Sequence, residues 1–182
     1  MANMYAIKNL GMGVKVISGM PFSDKRGVMT SVYDKKEFKS MGIKDNFTEQ
    51  LISESKSLVL RGMHFQKFPY SQAKFIQCIS GEIFIAAIDV RGKSKTFGRY
   101  ASAILSHSNK KCIYVPRGFA VGFEVLSKEN AIVYYNISGK HIPNSTRGII
   151  WNSNSVGITW PKKPKIISEK DLGWPDLNDV DV

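Results

Sequence analysis

Apolar and polar positions alternate over short stretches for most of the chain, and from Phe47 onward turn residues recur between them every eight to fourteen positions. That rhythm is the period of a pleated strand with one face buried. It predicts strands over residues 14–17, 28–33, 47–53, 58–62, 73–80, 83–90, 99–105, 112–115, 121–126 and 131–137. Ser80-Gly81-Glu82 reads as a tight hairpin and residues 21–27 as a loop. A convincing helix is confined to residues 35–41, with Asp34 suited to cap its start and Gly42 to end it. About ten strands and two or three helical segments predict an all-β fold, a cupin-type jelly-roll β-barrel with a few short helices. Its interior has room for a small ligand. No repeat or low-complexity tract breaks the pattern, so residues 1–182 read as one domain; the tail from Pro161, with Pro164 and Pro175, is the only linker-like piece.

Composition narrows the function classes. A chain of 182 residues with 43% hydrophobic and 11% aromatic content is ordinary globular protein, neither disordered nor fibrous. No apolar run reaches the ~18 residues of a membrane span, and the first residues lack the pattern of a secretory signal. The expectation is a cytoplasmic protein with no membrane partner. Cys78 and Cys112 sit in apolar strand segments without zinc-ligand spacing and read as small core residues. The net charge of +11 raises nucleic acid as a partner. The lysines are scattered, however, and there is no RNP motif, helix-turn-helix pattern or long basic arm. A phosphorylated small molecule and a solvated lysine-rich face explain the charge instead.

Chemistry concentrates between Leu58 and Lys74, LVLRGMHFQKFPYSQAK, where an apolar strand carries Arg61, Gly62 and His64 and a proline-containing loop leads to Lys74. One titratable ring and two fixed cations on paired elements can line one cavity. His107 and His141 lie in polar loops and read as surface residues, and Gly118 simply turns the chain. Without further histidines near His64, the ligand set of a metal cupin is missing, so no metal is expected.

The strings LRGMHFQ, QAKFIQCISGEIFIAAIDVR, KTFG, YVPRGFAVGF, GIIWN, VGITWP and SEKD occur in that order. Together they resemble the nucleotide-sugar 3,5-epimerases, typified by dTDP-4-dehydrorhamnose 3,5-epimerase, from about Val14 to Asp171. The resemblance implies a homodimer that needs no cofactor and acts on a nucleoside-diphosphate 4-keto-6-deoxy sugar. It implies His64 as catalytic base, Asp171 as the carboxylate on its far nitrogen, Lys74 at the keto oxygen and Tyr134 as the proton donor opposite. Arg26 and Arg61 are implied to hold the diphosphate, with Ser31, Glu49, Gln66 and Val121 in the remaining substrate contacts. The chemistry is coherent: a carbon beside a ketone is acidic, so inverting it needs a base, a cation at the oxygen and an acid on the other face. An imidazole titrating near pH 6.5 suits the first task.

Departures from the family pattern bear on specificity. Val121 stands where the family commonly has a second histidine, Val28, Met29 and Ser31 replace two aromatics and a glutamate, Leu51 replaces an asparagine, and residues 138–143 replace a tyrosine pair. The resulting expectation is epimerisation at C3, C5 or both in deoxysugar synthesis for surface polysaccharide such as O-antigen. The alternatives are a C5-only epimerase of a CDP-linked 3,6-dideoxy sugar, for which Ser31 would answer cytosine, and a non-catalytic sugar-nucleotide-binding cupin. A bulge at Gly62 is required if Arg61 and His64 are to face the same side.

Overall fold

In the computed structural model, which describes residues 4–182, antiparallel strands form two stacked sheets and a separate hairpin. The strands are β1 (Tyr5–Gly11), β2 (Val14–Gly19), β3 (Pro21–Asp24), β4 (Gly27–Thr30), β5 (Phe47–Ser55), β6 (Leu60–Gln66) and β7 (Lys74–Ser80). They continue as β8 (Glu82–Asp89), β9 (Tyr100–Ser106), β10 (Lys111–Val115), β11 (Phe119–Val125), β12 (Ala131–Ser138) and β13 (Thr146–Gly148). The six-stranded sheet runs β1-β2-β10-β7-β12-β5 and the five-stranded sheet β13-β6-β11-β8-β9. The fold is the cupin-like jelly roll that the strand rhythm predicts, but β1 and β3 lie where the sequence pattern shows no strand. Both are thinly buried, so neither carries the alternation that announces a half-buried strand.

Three apolar layers hold the sheets. The central one joins their inner faces through Ile76, Ile85, Ile113, Phe119, Val121, Phe123 and Val133. A second, built on Met63, Phe65, Phe84, Ala86 and Ile88, lies on the outer face of the five-stranded sheet, where Ile149, Trp160 and Leu177 cover it. Burial on both faces explains why β8 and β11 are buried almost end to end instead of alternating. On the outer face of the six-stranded sheet sits α1 (Lys35–Ser40), capped by the Asp34 side chain and anchored by fully buried Phe38. Cys78 and Cys112 are buried free thiols, pushed up to about 11 and about 12 by burial.

The segment after Pro161 is more than a linker. Its backbone is tied to the start of β6 by Leu60 N–H to the Ile166 carbonyl at 3.0 Å and Lys165 N–H to the Leu58 carbonyl at 3.0 Å. Beyond these ties comes α2 (Glu169–Leu172), a single turn capped by Ser168 that delivers Asp171 to the middle of β6.

A second buried carboxylate fixes the loop that follows β8. Asp89, at the end of β8, is wholly buried and accepts from Arg91 Nε at 2.8 Å, Ser94 Oγ at 2.7 Å and Thr96 Oγ1 at 2.6 Å. Burial alone would raise its carboxyl, but these donors hold it well below the usual carboxylate range. Its stabilisation is therefore complete above the unfolded carboxylate's titration and is lost as the pH falls toward the folded one. Asp89→Ala orphans these donors and is expected to cost roughly 3 kcal/mol, read as a lower urea midpoint at neutral pH with unchanged slope.

Candidate active site

Two features of β6 put its functional side chains on one face. The register against β11 pairs Val121 with His64 and Phe123 with Arg61, so β6 carries one extra residue between these pairs. Gly62 occupies that bulge at φ +134°, and a Cβ there would run into Gly122. A side chain is therefore excluded at the point where β6 must turn. As a result Arg61 and His64 both face a cavity of about 430 Å³ between the two sheets, while Met63 packs in the outer layer.

Asp171 approaches β6 from α2 and reaches the cavity lining. Its Oδ1 lies 2.6 Å from His64 Nε2 and 3.3 Å from Trp174 Nε1, and its Oδ2 accepts the Gly62 N–H at 3.2 Å. Because a carboxylate only accepts, His64 must carry its proton on Nε2, which leaves Nδ1 as the basic nitrogen. Asp171 is only 4% exposed. Burial pushes its carboxyl up, but the bonds from His64, Gly62 and Trp174 outweigh this and hold it below its ordinary value.

The other wall is the six-stranded sheet. Lys74, first residue of β7, donates its ammonium to the His64 carbonyl at 3.2 Å, and burial pushes it down to about 8. Tyr135 and Ile137 of β12, Leu51, Ile52 and Ser53 of β5, and Lys170 of α2 complete the lining with Val121 and Phe123. Burial pushes the Tyr135 phenol up to about 12, and its oxygen is 3.4 Å from Ser53 Oγ.

Tyr134 is a correction. Val133 and Ile137 point into the barrel, so strand alternation turns Tyr135 inward with them and Tyr134 outward, where its hydroxyl bonds Asn136 Oδ1 at 3.2 Å. Gln66 is another. Its amide donates to the carbonyls of Tyr70 and Lys140 and accepts the Ile142 N–H, so it is consumed in holding two loops. Arg26 and Ser31 also lie apart from the cavity of their own chain. Arg26 is 81% exposed at its side chain and pairs with Asp24 at the tip of the β3–β4 hairpin, and the Ser31 hydroxyl bonds Tyr5 at 2.7 Å. Glu49 is on β5, two residues before Leu51 and so on its face, but beyond the lining. Arg61 keeps to the cavity, its guanidinium oriented by Ser55 Oγ at 2.8 Å. Sequence reasoning missed Tyr135, Lys170 and Trp174; the inward alternation of Val133 and Ile137 was the available signal for Tyr135.

A second cavity of about 450 Å³ lies beside Phe65, Arg91 and Arg117. Its cations are already paired, Arg91 with Asp89, Arg117 with Asp45 and Lys67 with Asp181. Among the described residues no three His, Cys, Asp or Glu side chains gather as a metal site would need. No helix among them is long and apolar enough to cross a membrane.

Lys74 offers a direct check on this geometry. Its cation should persist below pH 8 and be lost as the pH rises through about 8. In a heteronuclear NMR titration its side-chain amine should move with a midpoint near that value, assigned by its loss in Lys74→Met. A midpoint with the bulk of surface lysines would contradict the buried placement.

The arrangement is an imidazole held by a carboxylate, a half-buried ammonium and a half-buried phenol around a space large enough for a sugar. The sequence profile of the family described as dTDP-4-dehydrorhamnose 3,5-epimerase matches residues 11–179. The dTDP-4-dehydrorhamnose 3,5-epimerase of Shigella flexneri is 36% identical, over 98% of this chain and 98% of its own. Among solved structures, the enzyme of that name from Sulfolobus tokodaii superposes with a TM-score of 0.90 at 38% identity, covering 98% of each chain. The Legionella pneumophila dTDP-6-deoxy-D-glucose-3,5-epimerase, solved in complex with dTDP-4-keto-L-rhamnose, superposes with a TM-score of 0.92 at 33% identity, covering 97% of this chain and 95% of its own. With a family profile spanning nearly the whole length and relatives this similar from end to end, the chain belongs to the dTDP-4-dehydrorhamnose 3,5-epimerase family.

Proposed function

We propose that this protein is a cofactor-independent isomerase that inverts C3 and C5 of a dTDP-linked 4-keto-6-deoxy sugar in deoxysugar biosynthesis, in the cytoplasm. The observation that carries the reading is the 2.6 Å contact of His64 with Asp171 inside a cavity that also presents Lys74 and Tyr135. His64 Nδ1 takes the proton from the carbon beside the ketone. Asp171 steadies the imidazolium, and the Lys74 ammonium stabilises the oxyanion as the enolate forms. Tyr135, on the facing sheet, stays protonated across the working pH range and returns a proton from the other side. Once solvent has taken the proton from His64 and restored one to Tyr135, the same cycle at the second α-carbon completes the double inversion.

The relatives named above are dTDP-sugar epimerases, so the CDP-linked and non-catalytic readings are not favoured. The Ser31 hydroxyl, on which the cytosine argument stood, is bonded to Tyr5.

Arg26 enters the reading through a second copy of the chain. The β3–β4 hairpin exposes Phe22, Val28 and Met29, the last by 71%, and Ile52 at the cavity mouth is 69% exposed. Apolar surface of this kind is suited to a partner. In a homodimer the hairpin of one copy would cover the cavity of the other and bring Arg26 to the diphosphate beside Arg61, a task that fits a guanidinium fork.

Incubation with dTDP-4-keto-6-deoxyglucose in heavy water should place deuterium at both C3 and C5; exchange at neither carbon would remove the enzyme reading. Tyr135→Phe should lower turnover by about 10²-fold or more while Tyr134→Phe stays near wild type, and the reverse ranking would contradict the placement of β12. Arg26→Ala and His64→Ala, each inactive alone, should regain activity when mixed and allowed to exchange subunits. No recovery on mixing would place Arg26 within its own chain's site or outside catalysis.

A further inference from the structure

Trp174 sits where nothing in the reaction scheme requires an indole. It lies outside the cavity lining, and four contacts fix it there. Its Nε1–H donates to Asp171 Oδ1 at 3.3 Å, the same oxygen that receives His64. Its ring stands edge-on to the imidazole, with centroids 6.3 Å apart and an interplanar angle of 69°. Its six-membered and five-membered rings press on Gly148, so closely that a Cβ at that position would overlap them. Gly148 pairs directly with His64 in the β13–β6 ladder, so the bare glycine creates the seat for the indole beside the base. The ring also carries the Lys170 ammonium at 5.5 Å, and Lys170 itself reaches the cavity wall.

We propose that Trp174 is a positioning residue for the catalytic pair: its N–H and its seat on Gly148 hold the Asp171 carboxylate in line with His64 and share the charge of Oδ1. The inference rests on the epimerase reading for its kinetic consequences but not for its spectroscopic ones.

The physical argument has two parts. A carboxylate on a one-turn helix near the end of a chain is free to rotate about its side-chain torsion unless both oxygens are engaged. Gly62 N–H holds Oδ2 and Trp174 N–H holds Oδ1, which leaves one orientation for the bond to His64. Second, two donors on one oxygen divide its negative charge, so the indole moderates how strongly Asp171 stabilises the imidazolium. Removing the indole N–H therefore loosens the geometry and concentrates charge on the remaining bond. The other charged or titratable groups facing the pair are Lys74 on β7, Tyr135 on β12, Arg61 on β6 and Lys170 on α2; none of them bonds Asp171.

Trp174→Phe keeps the ring on Gly148 and deletes the N–H. It should lower kcat roughly tenfold, the worth of one hydrogen bond to a charged group, leave KM near wild type, and move the acidic limb of the kcat pH profile upward. The upward shift follows because the base works only when neutral, and an imidazolium better stabilised by Asp171 persists to higher pH. A purely structural role would lower the melting temperature and leave the pH profile in place, and that result overturns the proposal. Unchanged kcat and pH profile overturn it equally. Should Trp174→Phe not fold, the wild-type protein still decides. One of its three tryptophan indole N–H resonances, Trp151, Trp160 or Trp174, should follow the His64 titration and lose that response in Asp171→Asn. If none follows it, the proposal fails. This measurement needs no substrate, so absence of epimerase activity with an indole that tracks His64 would fault the functional reading and leave the positioning role standing.

Discussion

The structure turns on one bond across a great sequence distance, His64 Nε2 to Asp171 Oδ1 at 2.6 Å. A histidine at the edge of a cavity is an indifferent base unless something sets its tautomer and stabilises its protonated form. A carboxylate in a one-turn helix is an indifferent partner unless the chain holds it still. Much of what surrounds the bond serves one of these conditions. The bulge at Gly62 turns the imidazole inward and offers a backbone N–H to Oδ2. The ties of Leu58 and Leu60 to Lys165 and Ile166 bring the tail to β6, and the apolar layer under Trp160 and Leu177 keeps it there.

Burial of a single carboxylate would normally be destabilising, and at Asp89 and Asp171 the protein meets it with donors. Asp89 is surrounded by a guanidinium and two hydroxyls and fixes a loop. Asp171 has fewer donors, one of them the working histidine, so part of its compensation is lent to the reaction. Lys74 shows the opposite sign of the same effect. It faces the cavity without a carboxylate bonded to it, and burial pushes it down to about 8, still charged at neutral pH, which suits a cation that must answer a charge appearing only when the enolate forms.

Most of the barrel was legible because its strands carry their own alternation or are buried through and through. Strands β2, β5 and β7 to β12 fall within a few residues of the pattern, and Asp34 announced α1. What was not legible depends on contacts the sequence does not display. Strand β3 exposes its side chains, so it carries no inward face to read, whereas its partner β4 overlaps the strand expected over residues 28–33. Tyr134 and Tyr135 differ only in parity, and a one-residue displacement exchanges the two faces of a strand. The burial of Val133 and Ile137 resolves it. Gln66 looked available because its three backbone partners come from loops whose approach no local pattern foretells. Trp174 is invisible in sequence for the same reason, since its partners Gly148 and Asp171 meet only in the folded chain.

The central claim is that the barrel becomes a proton shuttle only when Asp171 holds His64. Its most direct test is the rate of deuterium wash-in from heavy water into the 4-keto sugar by Asp171→Asn, an isosteric change that keeps the donors to Oδ1 and Oδ2 nearby but removes the charge. The account predicts a fall of about 10²-fold or more with the folded barrel retained. Wash-in at the wild-type rate would contradict it.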